Sequence, residues 1–214
     1  MASFFSDLER LAYALLIQKS GINDRIYRFS KLTGMIVRGE DVRGLNSPLQ
    51  ISPLEQHRVY SKLDGPIYGD FNARARTTIL LRVEKLLCGG GATYDYQTIT
   101  VEHVLPQTPQ PNSNWLMWFP NANERYQWIH RIGNLALLTR KKNSAASNYE
   151  FDAKKRAYFA KGGVSPFVLT SQVLDKTEWT PQIVAARQQV LLALLEKHWK
   201  LENREDPASK TAQP

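Results

Sequence analysis

The segment Glu102-His103-Val104-Leu105-Pro106, followed by Gly133-Asn134-Leu135 and then by Asn143, decides how this chain is read. A carboxylate beside a histidine closes one apolar segment. Asn134 opens a second, and Asn143 begins a polar, basic stretch. Hydrolysing a phosphodiester needs a base to activate water, a cation to stabilise charge on the phosphate, and a means of fixing the base's orientation. His103 is the candidate base, because a neutral imidazole is available near pH 7. Glu102 and the amide oxygen of Asn143 are hard oxygen donors. They suit Mg²⁺, which keeps several of its waters and needs few protein ligands. Neighbours on a strand point to opposite faces. Glu102 and His103 can therefore serve one site only if the chain twists there, and Pro106 just beyond marks such a twist. Asn134 is expected to hold the loop or the imidazole by side-chain hydrogen bonds.

Outward from this centre the texture is mostly helical. Upstream, residues 6–19 carry Leu8, Leu11, Ala12, Leu15 and Leu16 at helical spacing, with Ser6 and Glu9 as a capping box. Residues 23–37 repeat the pattern with Ile26, Tyr27, Phe29, Leu32 and Ile36 as the apolar face. Ser52-Pro53 opens a third helix, which ends near Asp64-Gly65-Pro66. Residues 71–88 form a fourth, and Cys88 at its end reads as a buried, small apolar side chain. Gly89-Gly90-Gly91 is the sharpest break in the chain. Beyond it, Tyr94, Tyr96, Ile99 and Val101 alternate with polar residues as in a strand. Pro106 to Asn114 reads as a loop, 121–130 as a short helix, and Leu135 to Thr139 as a short apolar strand. Lys141 to Asn148 reads as a short helix or turn, Phe151 to Ala160 as a basic helix, and 181–200 as a long one. The expectation is an α+β protein: a mostly helical domain enclosing a small ββα-metal core. Its parts are a helical subdomain over 1–88, the core with C-terminal helices over 89–201, and a disordered polar tail over 202–214.

Composition agrees with a polyanion-facing protein. The 214 residues are 43% hydrophobic, enough for a real core, and the formal net charge is +8. Arg140, Lys141, Lys142, Lys154 and Lys155 flank the centre and are candidates for nucleic-acid phosphates. His130 and Asn148 are candidate supporting residues. A single cysteine excludes an internal disulfide and a four-cysteine zinc cradle. No apolar run reaches membrane-span length, and the N-terminus lacks a secretory pattern. The expected setting is the cytoplasm, without a membrane partner.

The segment from Glu102 to Asn148 resembles the ββα-metal, or HNH, nuclease motif. More narrowly, it resembles the C-terminal nuclease domain of GmrSD-type modification-dependent restriction enzymes and of related phosphorothioate-sensing defence proteins. It is also similar to the HNH domain of RNA-guided CRISPR nucleases. In those proteins an acidic residue and a histidine precede a Val/Ile-x-Pro turn, and Asn-x-x-Leu-Thr-Arg leads to a metal-binding asparagine. Here Asn134, Leu138-Thr139-Arg140 and Asn143 stand at those places. One departure is Glu102, where many HNH nucleases carry Asp. The likeness extends to Tyr27-Arg28-Phe29, Lys155, Tyr158, Trp179, Ile183, Arg187 and Trp199. It implies His103 as base, Glu102 and Asn143 as metal ligands, and Asn134 as an orienting member of the catalytic set. It further implies Mg²⁺ with Mn²⁺ able to substitute, DNA as substrate, and a bacterial or archaeal phage-defence setting. That family joins this domain to an N-terminal nucleotide-hydrolysing, DNA-sensing domain. No Walker-type glycine loop occurs here, so the chain is expected to be the C-terminal part of a longer protein. Two alternatives share the basic charge: an inactive nucleic-acid-binding helical module and an RNA-cleaving HNH protein.

Overall fold

The computed structural model describes residues 2–89, 91, 95–139, 148–160 and 164–202. In chain order its elements are α1 (Ala2–Ile17), α2 (Ile22–Val37), α3 (Pro53–Leu63), α4 (Ile67–Asp70), α5 (Ala73–Leu87), β1 (Thr100–His103), α6 (Asn114–Trp118), α7 (Ala122–Ile129), β2 (Leu135–Leu138), α8 (Phe151–Lys154), α9 (Val168–Leu174) and α10 (Pro181–Trp199). A 3-10 turn, Ile132–Asn134, leads into β2, and a π-helical turn, Lys155–Phe159, follows α8. The protein is α+β, mostly helical with one small antiparallel sheet. Its two compact units are Met1–Leu63 with Leu195–Pro214, and Asp64–Leu194. The break at Gly89 to Gly91 falls inside the second.

In the first unit α1 buries Leu11, Ala14, Leu15 and Ile17 and packs against α3. Helix α1 starts at Ala2, so Ser6 lies within it and does not cap it. The capping box belongs to α3. Ser52 N–H donates to Glu55 Oε2 at 2.7 Å, and Glu55 N–H donates to Ser52 Oγ at 3.3 Å. Helix α2 forms where its periodicity predicts, but Ile26, Tyr27 and Ile36 of the expected apolar face are exposed, and Leu32 is the buried one.

The second unit carries the sheet. Strands β1 and β2 pair antiparallel, with Thr100 opposite Leu138 and His103 opposite Leu135. The expected strand from Tyr94 is much shorter than its alternation suggests, because pairing with β2 starts only at Thr100; Tyr94 itself lies outside the described residues. Val104, Leu105, Trp115, Phe119, Phe151 and Trp179 share one buried apolar cluster. The Trp115 indole meets both Trp118 and Phe151 edge-on. Core packing thus occupies Trp115. Helix α9 begins where Glu84 of α5 presents its buried carboxylate. Oε1 and Oε2 accept from the N–H groups of Val168 and Leu169 at 2.8 and 2.7 Å. Cys88 is only half-buried, and its thiol donates to Glu84 Oε1 at 3.2 Å.

Gly133 sets how closely the turn before β2 approaches α10. A Cβ there would lie 2.6 Å from the Val184 carbonyl oxygen and 3.0 Å from Gln188 Cβ. The Gly133 N–H donates to Gln188 Oε1 at 2.7 Å. Gly133→Ala is therefore expected to destabilise the protein by about 2–4 kcal/mol through overpacking against backbone. A lowered urea midpoint at unchanged m-value is the measurement.

Candidate active site

Glu102 and His103 do line one cavity. It measures about 290 Å³, and Pro106, Gln107, Thr108 and Asn148 complete its wall. His103 is the last residue of β1, and the chain turns away directly after it. Two side chains hold that turn. Asn134 is fully buried and uses its whole carboxamide. Its Oδ1 accepts from Leu105 N–H at 2.8 Å and from Trp179 Nε1–H at 3.0 Å. Its Nδ2 donates to the carbonyls of Leu105 at 3.1 Å and Ile129 at 2.9 Å. Of the two partners considered for it, the loop and the imidazole, Asn134 bonds the loop, and it is absent from the cavity wall.

Lys154 is the second. Sequence reasoning placed it among phosphate contacts, and the structure corrects this: the side chain is 0% exposed. Its Nζ donates to the carbonyls of His103 at 2.5 Å and Val104 at 3.0 Å and lies 3.9 Å from Glu102 Oε1. A buried ammonium is tolerated only with such partners. Here it neutralises the Glu102 carboxylate from inside and ties α8 to the end of β1. Lys155 is also engaged, with its Nζ 2.6 Å from the Lys176 carbonyl and 3.0 Å from Asp152 Oδ1. Arg140, Lys141, Lys142 and Asn143 lie outside the described residues.

His103 is 2% exposed and sits among aromatic rings. Its ring centroid is 4.0 Å from that of Tyr68, and Tyr68 stacks on His130 at 5.7 Å and 14°. The Arg76 guanidinium covers the Tyr68 ring at 3.9 Å, and its NH1 donates to the Tyr68 carbonyl at 3.0 Å. His103 Nε2 is 3.1 Å from His130 Nδ1, and His103 Nδ1 is 3.3 Å from Gln107 Nε2. Burial pushes the His130 pKa below the ordinary imidazole range. Sequence reasoning missed Tyr68, Arg76 and Gln107. Gln107 was findable, four residues past His103 on the same turn; no signal links Tyr68 or Arg76 to the motif.

Arg187 of α10 clamps the start of β2, whose Leu135 lies opposite His103. Its NH1 donates to the carbonyls of Gly133 at 2.7 Å and Leu135 at 3.0 Å, and its NH2 to that of Leu169 at 2.7 Å. Burial lowers its pKa to about 9.

The donor set can be judged for a metal. The cavity wall holds one carboxylate, Glu102, and two side-chain amides, Gln107 and Asn148, all with hard-oxygen donors. Among the described residues, no group of three or more His, Cys, Asp and Glu forms a metal cluster. Hard-oxygen donors of this kind fit a hydrated, oxygen-preferring ion.

A strand-end carboxylate–histidine pair thus lines a polar cavity, with a buried asparagine and a buried lysine holding the turn beside it. The family model for the C-terminal domain of GmrSD restriction endonucleases matches residues 61–194, and the chain belongs to that family. The match nearly coincides with the second compact unit. No curated protein and no solved structure matches the chain. No described helix is long and apolar enough to cross a membrane.

Two outcomes follow for the positioning residues. Asn134→Ala leaves buried donors of Leu105 and Trp179 without their acceptor and is expected to cost roughly 3 kcal/mol or more. Its denaturation midpoint measures this. Lys154→Met is expected to destabilise by about 2–4 kcal/mol while leaving the log–log salt slope of DNA binding unchanged, because a buried ammonium releases no counterions. A flattened slope would return Lys154 to the phosphate-binding set.

Proposed function

We propose that this chain is a metal-dependent HNH DNA endonuclease, the nuclease domain of a modification-dependent restriction or phage-defence protein. The observation that carries the reading is the shared cavity of Glu102 and His103, within a chain of the restriction endonuclease family. His103 takes the proton of the attacking water. Glu102 and Asn143 would hold Mg²⁺ or Mn²⁺, with Asn148 as a further oxygen donor at the same wall. When bound, such an ion supplies charge stabilisation at the phosphate and leaving oxygens. Lys154 holds the carbonyls at the end of β1, so that Glu102 and His103 keep their relative placement. Asn134 fixes the loop beyond them. Lys155 and the cluster Arg140, Lys141 and Lys142 contribute phosphate contacts. The natural partner is DNA, engaged together with an N-terminal nucleotide-hydrolysing sensor domain, in a bacterial or archaeal cytoplasm.

The deciding experiment is nicking of supercoiled plasmid with Mg²⁺ or Mn²⁺, with and without EDTA. His103→Ala is expected to lower the rate by about 10²–10⁴-fold, as for loss of a general base, while circular dichroism and DNA affinity stay near wild type. Wild-type nicking by a well-folded His103→Ala protein would sink the assignment, as would activity indifferent to EDTA. Asn143→Ala is expected to move the Mg²⁺ titration to higher concentration or to abolish activity. An unchanged titration would remove Asn143 from the metal shell. Cleavage of RNA in preference to the plasmid would redirect the substrate.

A further inference from the structure

The proposed hydrolysis uses one histidine, yet two face each other at the site. His103 Nδ1 lies 3.3 Å from Gln107 Nε2, and an amide N–H can only donate. A Gln107 N–H donated to Nδ1 places the proton of a neutral His103 ring on Nε2. That proton points at His130 Nδ1, 3.1 Å away. Gln107 lines the cavity together with His103, whereas His130 is absent from its wall. The lone pair thus lies on the cavity side of the ring and the proton on the protected side.

We propose that His130 is a positioning residue for His103: its Nδ1 accepts the Nε2–H of His103 and so keeps the Nδ1 lone pair of that ring directed at the cavity. This rests on the assignment of His103 as base. Three further observations support it. Tyr68 packs against both imidazoles and is itself covered by Arg76, so the two rings share one aromatic neighbour. The Tyr68 N–H donates to the His130 carbonyl at 3.0 Å, which fixes the backbone from which His130 projects. Burial lowers the His130 pKa, which keeps its Nδ1 an acceptor near neutral pH. When the attacking water displaces the Gln107 N–H from His103 Nδ1 and gives its proton to that lone pair, the imidazolium still donates Nε2–H to neutral His130. The hydrogen bond becomes charge-assisted and stronger as the reaction proceeds.

The test uses the full chain with ¹⁵N-labelled histidine. Without DNA or metal, long-range proton–nitrogen spectra should show His103 as the Nε2–H form. A nitrogen–nitrogen coupling should connect its Nε2 with His130 Nδ1. In plasmid nicking, His130→Ala should lower kcat by about tenfold or more with KM nearly unchanged, since an effect on the base alone acts in the transition state. His130→Gln, whose side-chain oxygen can take the same proton, should recover most of that loss and keep His103 in the Nε2–H form. Absence of the coupling in the wild type, or His103 protonated on Nδ1, overturns the proposal. So does wild-type kcat in His130→Ala, or an equal loss in both variants. If His130→Ala does not fold, the wild-type coupling and the His130→Gln rate decide. The spectra are read without substrate, so they judge the pairing alone. The His103→Ala nicking assay judges the base assignment alone.

Discussion

The carboxamide of Asn134 is the point on which the second unit turns. Four hydrogen bonds leave it, to both backbone groups of Leu105, to the carbonyl of Ile129 and to the indole of Trp179. They join the loop after β1, the end of α7 and the segment before α10. A side chain with two donors and two acceptors, all used, is hard to replace, because any substitute leaves buried polar groups unmatched. The exit of the chain from β1 depends on it, and that exit lets neighbouring strand residues serve one cavity. The adjacent Gly133 works with it, since only a residue without Cβ lets the turn lie against the backbone of α10.

Charge is used inside as well as outside. A net charge of +8 reads as a surface for polyanions, yet some of the most constrained cations point inward. Lys154 and Arg187 both end on backbone carbonyls at the same end of the β1–β2 ribbon, Lys154 where β1 leaves it and Arg187 where β2 enters it. Each ties a helix to a strand end through groups that the two-stranded sheet leaves unpaired. Strands of four residues cannot satisfy their own termini. Buried cations therefore take the place that further strands hold in a larger sheet. Lys154 has the additional effect of setting a positive charge beside the Glu102 carboxylate.

The imidazole environment follows from the same economy of structure. His103 has no deep pocket of its own. It is caged by Tyr68 from the short α4, by His130 from the end of α7 and by Gln107 from its own loop. These groups come from three separate stretches of chain. Their agreement on one ring orientation is the strongest internal argument that the ring's direction matters.

The sequence by itself determined the local elements and the order of the chemical groups. The Glu102-His103 pair, the Gly133-Asn134 turn, an alternating strand before it, a short apolar strand after it and the long helices are all readable, because each depends on residues a few positions apart. That Asn134 makes local side-chain hydrogen bonds was legible for the same reason, but not which of the loop and the imidazole it would meet. Tertiary structure decided the rest. The run Lys154-Lys155-Arg156 looks like a solvated basic face, and only the packing of α8 against the end of β1 makes Lys154 a buried link. The alternation from Tyr94 promises a longer strand, but strand length is set by the partner, and β2 pairs only as far as Thr100. The apolar stripe of α2 gave a helix, but periodicity states a face and not whether anything covers it. Tyr68 and Arg76 reach His103 through contacts distant in sequence, and no local preference encodes such a meeting. Local propensity and spacing act over one or two turns of chain, whereas burial and side-chain partnership are fixed only when distant elements close on one another.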